Sequence, residues 1–599
     1  MTRTPLRPLA RILSAREAGE NPDLIERENL AQRHEVIRDR TRIRSEGRLL
    51  VLGMFFFLAF SVIGARMGIL AATEPVEPKS AATGAEIIAQ RADITDRNGR
   101  ILATNMTTHA LYAHPKDMVD PARVARELAQ IFPDMDEATL KKRFTDGRSF
   151  VWVRRVLSPE QVQDVHNIGD PGLLFGPREV RLYPNGRLAA HVLGGASFGA
   201  EGVHSAEVIG TAGIEKAMDL RLRDPAAGGA PLTLSIDLTV QATTQEVLEA
   251  GMNMMNAKGA AAILMDVRTG EVIALVSLPD FDPNDRPPLV VAKDAEPGDS
   301  PLFNRAVQGV YELGSTFKIF AAAQAMELGL VNPDSLVDAD APMKWGKYTI
   351  REFKDKNYGP RLSVTEVIVQ SSNVGTARIA LQIGSLRQQA FLKSLGFFDA
   401  TPLELVEAPG AKPLIPARWP EIVTITASYG HGMSASPLHL AAAYAAIANG
   451  GVAVKPTLLR RDTPPQGIRV MSEDTAAKSV AMLRQVVVRG TASLGEVEGY
   501  AVAGKTGTAD KPKKSGGYYK DKVINTFASM FPANDPRYVL IVTLDEPVET
   551  SGPEARRTAG WTSVPVAAEI IRRTAPLLGL RPEVEVPGDA AITPAAVEN

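Results

Sequence analysis

From Leu49 to Ala65 the chain reads LLVLGMFFFLAFSVIGA, seventeen residues without a charge, and after Arg66 the apolar run resumes as MGILAA to Ala72. As a helix, the uncharged stretch spans roughly 25 Å. That is a little short of a ~30 Å hydrocarbon core, and Arg66 near its end can snorkel to the interface while the helix continues. A core helix should show a polar stripe, whereas Phe55, Phe56 and Phe57 point apolar surface in every direction. A cleaved signal peptide should have a short basic leader, whereas 48 residues precede this run. The pattern predicts an uncleaved transmembrane helix over residues 49–72.

Beyond a Pro/Ala/Thr-containing linker at 73–84, helical and alternating patterns mix without a clear repeat. A second linker signal, the Gly/Pro/Ala stretch at 224–231, precedes LTLSID (Leu232 to Asp237) and a helical pattern through Ala250. Gly259 to Ser277 reads as two strands joined by a turn at Arg268-Thr269-Gly270. Glu312 to Leu330 is helical in pattern, and Tyr538 to Leu544 (YVLIVTL) reads as a strand. Helices interleaved with antiparallel hairpins predict an α+β domain with a central sheet. Arg581 to Asn599, rich in Pro, Ala and acid, is expected to be disordered. The predicted order is a tail (1–48), an anchor (49–72), a first folded region (73–230), a second one (231–580) and a final tail (581–599).

A chain of 599 residues is too long for one ordinary core, which agrees with two or three units. The net charge of −2 argues against a nucleic-acid role. The absence of cysteine removes disulfides, thiolate metal sites and thiol catalysis. None of the eight histidines falls in a zinc or catalytic pattern; His431 and His439 read as packing or surface residues. No metal and no cofactor is implied. Charge also orients the anchor. Residues 1–48 carry eleven Arg and no Lys, with Arg38, Arg40, Arg42, Arg44 and Arg48 just before the span, while Lys79 is the only basic residue between Thr73 and Gln90. The positive-inside rule puts the N-terminus in the cytoplasm and everything after residue 72 outside the inner membrane. The Arg-rich tail could meet a cytoplasmic partner or anionic lipid, although its eight acids favour a plain solvated helix.

Three short motifs carry candidate chemistry. Ser315 and Lys318 in Gly314-Ser315-Thr316-Phe317-Lys318 are three apart, so on a helix they share a face and the ammonium can reach the hydroxyl. A serine at a helix start also lies where unpaired N–H groups converge on an oxyanion. In Ser371-Ser372-Asn373, Ser371 can relay a proton and Asn373 both donates and accepts; taken alone, the same residues suit a helix N-cap. In Lys505-Thr506-Gly507-Thr508, Gly507 removes a side chain where another backbone must approach, as when a peptide adds to a sheet edge. Lys505 brings a second positive charge, which disfavours the ammonium form of Lys318 and attracts a substrate carboxylate. Each motif alone is common. Their order, with Ser371 56 residues and Lys505 190 residues after Ser315, resembles the signature shared by penicillin-binding proteins and serine β-lactamases.

With these motifs the chain resembles the class B penicillin-binding proteins, and within them the FtsI-type division transpeptidases. The resemblance runs from about Leu49 to Leu580. It includes ADITDRNGRILA (Ala92 to Ala103), RLYP (Arg181 to Pro184), HVLG (His191 to Gly194), GIEKAMDLRL (Gly213 to Leu222), YELGSTFK around the serine, SSNVG, the stretch Gly430 to Gly451, and FPANDPR (Phe531 to Arg537). SSNVGTARIA is closer to the division than to the elongation branch. Leu313 stands where the family usually has Pro, and Ala92 where it usually has Gly.

The resemblance implies a penicillin-binding/serine β-lactamase-like transpeptidase domain at 231–580, an elongated mixed α/β pedestal of the dimerisation type at 73–230, and one N-terminal transmembrane helix. It implies a D-Ala-D-Ala stem peptide of peptidoglycan as substrate and β-lactams as covalent inhibitors. Ser315 would be the nucleophile and Lys318 its base. Ser371, with Lys505 behind it, would pass a proton to the departing D-Ala, and Asn373 would complete the catalytic set. The substrate carboxylate would sit against Lys505 and the Thr506 and Thr508 hydroxyls, with Gly507 in the substrate strand. The N–H groups of Ser315 and Thr508 would form the oxyanion hole. Implied partners are an FtsW-type glycan polymerase and small bitopic division proteins. Class A β-lactamases deacylate through a glutamate, and here neither Glu404 nor Glu407 has Asn four residues on. Remaining alternatives are an elongation-type transpeptidase, a β-lactamase or β-lactam sensor, a non-catalytic division scaffold, and a D,D-carboxypeptidase.

Overall fold

The computed structural model describes residues 9–72, 91–201, 206–288, 296–513 and 516–583. The expected linker at 73–84 and all but the first three residues of the expected final tail lie outside them. A single helix of 51 residues, Pro22–Ala72, contains the apolar run. Its stretch Gly47–Met67 is long and apolar enough to cross a membrane and is not buried inside the protein.

Contacts between residues divide the chain into two units. One comprises Met1–Ala81, Leu111–Val153 and Gln163–Leu174; the other comprises Ala82–Ala110, Arg154–Val162 and Phe175–Asn599. These borders differ from the sequence-predicted segments because the strands Ile101–Ala113 and Val151–Leu157 each run from one unit into the other. Within the first unit, the helices Pro121–Ile131 and Glu137–Thr145 start on aspartates. Asp120 and Asp136 accept hydrogen bonds from the backbone N–H groups of the opening turn.

The second unit holds the site. Its central sheet has five antiparallel strands: β1 (Gly259–Asp266), β2 (Val272–Leu278), β3 (Ala503–Pro512), β4 (Tyr518–Phe531) and β5 (Tyr538–Asp545), in the order β3-β4-β5-β1-β2. The two strands expected between Gly259 and Ser277 are β1 and β2, and YVLIVTL lies in β5. Every residue of β2 and β5 is buried. This explains why these strands read as continuous apolar runs rather than alternating ones: helices cover both faces. Helices α1 (Leu238–Met254) and α6 (Ser563–Leu577) pack on each other and on the sheet, and α4 (Pro437–Ala448) also packs against it. Helix α2 (Lys318–Glu327) lies against α3 (Asn373–Ile383) and α5 (Glu473–Arg489). His439 is buried in the first turn of α4, where its ring and Ser436 form a capping box, so it packs as expected. The ring of His431 is half-buried and meets its own Tyr429 carbonyl.

One element differs from its prediction. The helical pattern from Glu312 does not start a helix there. Tyr311 is bridged to Ala435, and Gly314 sits at φ 56°, a conformation that L-residues avoid and that breaks a right-handed helix. A 3₁₀ turn, Gly314–Phe317, follows, and the α-helix begins at Lys318. Ser315 therefore stands in the tight turn before the helix.

Candidate active site

Three elements converge on one point. Helix α2 contributes Lys318 at its first residue; the segment between Val364–Val369 and α3 contributes Ser371 and Asn373; strand β3 contributes Lys505. The Lys318 ammonium donates to Asn373 Oδ1 at 2.7 Å, to Ser371 Oγ at 3.1 Å and to the Ser371 carbonyl. The Lys505 ammonium donates to the same Ser371 Oγ at 3.0 Å. Two cations thus share one hydroxyl, although 187 residues separate them in the chain (505 minus 318).

Ser315 is half-buried, and its Oγ makes no hydrogen bond among the described residues. The expected contact between Lys318 and Ser315 is not formed in this state: the ammonium is held by Ser371 and Asn373 instead. Hydrogen bonds of this kind commonly tighten only when substrate arrives.

Both lysines are fully buried. Desolvation lowers the Lys318 ammonium to about 7, with Glu352 opposing the fall. Desolvation likewise lowers Lys505 well below the usual lysine range, and repulsion from Lys318 adds to it. The sequence led to the expectation that Lys505 would lower Lys318; instead burial lowers Lys318, and the repulsion between the two falls on Lys505. The pair holds its full charge poorly at neutral pH, which suits a base.

Backbone geometry explains the local sequence. Ser371 sits at φ 61°, the left-handed region that costs a non-glycine residue about 1 kcal/mol or more. Immediately after it, Ser372 caps α3, its Oγ accepting from Gly375 N at 2.9 Å. The cap and the chemistry thus occupy the same tripeptide. Strand β3 is an edge strand paired only to β4, with Lys505 opposite Ala528 and Gly507 opposite Thr526. Gly507 has a different reason from the one expected. A Cβ there would lie 2.3 Å from the Leu313 carbonyl oxygen and 2.9 Å from Thr316 Cγ2, so the backbone that needs the space is the protein's own Ser315 turn. Thr506 Oγ1 bonds Thr491 Oγ1 at 2.7 Å, and Thr508 Oγ1 accepts from Ala559 N at 3.0 Å. Thr508 also adjoins the turn: a Cβ on Gly314 would come within 3.0 Å of its carbonyl oxygen.

The sequence reading missed Glu352, a buried carboxylate that binds the Ser371–Asn373 segment through Ser372 Oγ and the N–H groups of Asn373 and Val374. No motif or spacing marks it; it lies 19 residues before Ser371 in an otherwise exposed polar stretch (371 minus 352). Glu404 and Glu407 are occupied elsewhere. Glu404 accepts from Thr457 Oγ1 at 2.6 Å and Leu458 N at 2.8 Å, and Glu407 accepts from Gly213 N at 3.0 Å. Among the described residues, no group of three or more His, Asp or Glu could hold a metal ion.

Residues 260–572 match the penicillin-binding protein transpeptidase domain, and residues 86–228 match the penicillin-binding protein dimerisation domain. A probable peptidoglycan D,D-transpeptidase FtsI of Caulobacter vibrioides is 35% identical over 575 residues, covering 94% of this chain and 92% of that one. The peptidoglycan D,D-transpeptidase FtsI of Escherichia coli K12 is 28% identical, covering 84% of this chain and 86% of that one. Among solved structures, penicillin-binding protein 3 of Mycobacterium tuberculosis complexed with ampicillin is similar, with a TM-score of 0.62 and 25% identity. The match covers 83% of this chain and 97% of that one. A hydroxyl and two buried ammonium groups gathered beside a serine turn, on a fold matched almost end to end, leave one assignment: the chain belongs to the penicillin-binding protein transpeptidase family, as a class B member of the FtsI type.

Proposed function

We propose that the chain is a peptidoglycan D,D-transpeptidase of the division septum, working through an acyl-enzyme on Ser315. The observation that carries this reading is the meeting of Lys318 and Lys505 on Ser371 Oγ next to the Ser315 turn. Lys318, neutral in part at pH 7, takes the Ser315 proton, and Oγ attacks the penultimate D-Ala carbonyl of a stem peptide. Ser315 N–H and Thr508 N–H form the oxyanion hole. The terminal carboxylate lies along β3 at the Thr506 and Thr508 hydroxyls, with the Lys505 charge behind. Ser371 passes a proton to the departing D-Ala nitrogen, and Asn373 keeps Lys318 aimed. An amine from a second stem then attacks the ester and releases Ser315.

Both carboxylate oxygens of Glu404 are engaged, by Thr457 and Leu458, which favours transfer over hydrolysis at that residue. The relatives named as FtsI favour the division over the elongation branch. The Gly47–Met67 span and the Arg-rich residues before it support a single-pass inner-membrane protein with a cytoplasmic N-terminus and a periplasmic bulk. Folding into segments 73–230 (pedestal) and 231–580 (transpeptidase) follows from the same reading, as do an FtsW-type glycan polymerase and small bitopic division proteins as partners.

Intact-protein mass spectrometry after penicillin treatment tests the central step. One stoichiometric, slowly lost adduct mapped to Ser315, and absent in Ser315→Ala, is the expected result. An adduct on another serine, or rapid turnover of the penicillin, overturns the assignment.

A further inference from the structure

Glu352 lies outside the three motifs, is buried, and forms no ion pair among the described residues. All its hydrogen bonds go to one segment. Oε1 accepts from Ser372 Oγ at 2.6 Å and from Val374 N at 3.1 Å, and Oε2 accepts from Asn373 N at 2.7 Å. The carboxylate therefore serves the first N–H groups of α3, where the helix dipole favours a negative charge. The preceding residue completes the grip: the Arg351 carbonyl accepts from Asn373 Nδ2 at 2.8 Å. With its NH₂ taken, the Asn373 amide presents oxygen to Lys318 at 2.7 Å. The opposite flip would turn two donors toward an ammonium that has no acceptor.

The delivery of this carboxylate is itself constrained. A short hairpin of Met343–Trp345 with Tyr348–Ile350 leads into it, and Lys354 and Asp355 just beyond both adopt positive φ, 54° and 52°. Two consecutive non-glycine residues in that region persist only where surrounding structure holds them, and such strain gathers at functional sites.

We infer that Glu352 is a positioning residue for the base. It holds the segment that carries Ser371 and Asn373 against Lys318 and supplies negative charge beside that buried ammonium. This rests on the reading of Lys318 as the base. The ionisable groups that act on this cluster are few. From the segment after the hairpin, the Glu352 charge favours protonation of Lys318; on β3, Lys505 is itself pushed down by the Lys318 charge. Tyr358 and Tyr429 also feel the Glu352 charge, and burial together with that charge raises both phenols, so they stay neutral through the working range.

The test is the pH dependence of acylation of the full-length protein by a fluorescent penicillin, with the label mapped to Ser315. Acylation needs neutral Lys318, so the rate rises with pH through the Lys318 midpoint. Removing the Glu352 charge removes a force that keeps Lys318 protonated. In Glu352→Gln the rising limb should move to lower pH by about one unit, and the plateau rate should fall at least about tenfold because a neutral amide cannot accept all three bonds. Ser372→Ala keeps the charge and loses one bond, so its limb stays in place while its rate falls several-fold. A limb unmoved in Glu352→Gln, or moved equally in Ser372→Ala, overturns the inference. Should Glu352→Gln not fold, Glu352→Asp carries the test: a limb at the wild-type position with a lowered plateau supports it, and a displaced limb overturns it. A wild-type protein unlabelled at Ser315 sinks the proposed activity instead, which a labelled wild type with unmoved variants does not.

Discussion

Two clusters of buried cations in the second unit reach opposite outcomes. Around Glu215, Arg91 and Arg181 are paired. Arg91 Nε lies 2.7 Å from one Glu215 carboxylate oxygen, Arg181 Nε lies 2.6 Å from the other, and Arg91 also meets Asp219 at 2.7 Å. Desolvation pushes the Asp219 carboxyl up, but the Gly210 N–H and the Arg91 guanidinium outweigh it and lower it. Around Ser371, Lys318 and Lys505 have only neutral oxygens as direct partners. The first cluster is a structural joint in which every charge meets its opposite. In the second, burial without pairing makes a proton easy to remove. What separates structure from reactivity is whether a carboxylate touches the buried cation, together with the guanidinium's firmer hold on its protons.

The sharpest way to break this comparison is to remove a lysine. Lys318→Met should lower the rate of penicillin acylation on the order of 10³-fold, the scale of a lost general base. The thermal midpoint should hold or rise, because a costly buried cation is gone; a large fall would mean that this cluster also serves stability. Next comes the converse. Glu215→Gln leaves Arg91 and Arg181 underpaired and should cost roughly 3–5 kcal/mol in urea unfolding. The acylation rate of the protein that remains folded should be little changed.

A third expectation is the pH profile of the wild type. With Lys318 lowered to about 7, the base is charged and idle below that pH and neutral above it. Acylation should therefore rise between pH 6 and 8 and then level, and a flat profile across that range would refute the assignment of the base. Stability carries the same sign. Between about 7 and the ordinary lysine value near 10.4 the unfolded chain holds a proton that the folded one has shed, so this group adds stability as pH rises through that window. The smallest effect should come from Thr491→Val, which removes the partner of Thr506 Oγ1 and should cost about 1 kcal/mol with a modest change in acylation rate.

Much of this molecule was legible along the chain. The candidate membrane span follows from an unbroken apolar run, because in lipid a helix must satisfy its own backbone and present apolar surface all round. The strands β1, β2 and β5 follow from short β-branched runs with a turn between the first two. Ser315, Lys318, Ser371, Asn373 and Lys505 could be singled out as candidates because such chemistry needs fixed residue types at short spacings, and the structure brings the last four together. The start of α2 did not follow in the same way: hydrophobic periodicity continues through Gly314, and a bridge from Tyr311 to Ala435, more than a hundred residues away, overrides it.

Sequence by itself determined which side chains are candidates for chemistry and in what order they occur. Only the tertiary structure decided how they are charged and held. The value near 7 for Lys318 depends on how little water reaches it, which is a property of α2, α3 and β3 packed together. The role of Gly507 depends on where the Leu313 carbonyl comes to rest. Glu352 has no local signature because what it recognises, the opening N–H groups of α3, exists as a target only after the chain has folded. Burial and long-range hydrogen bonding are set by distances in space, and those are established by the core rather than by neighbours along the chain.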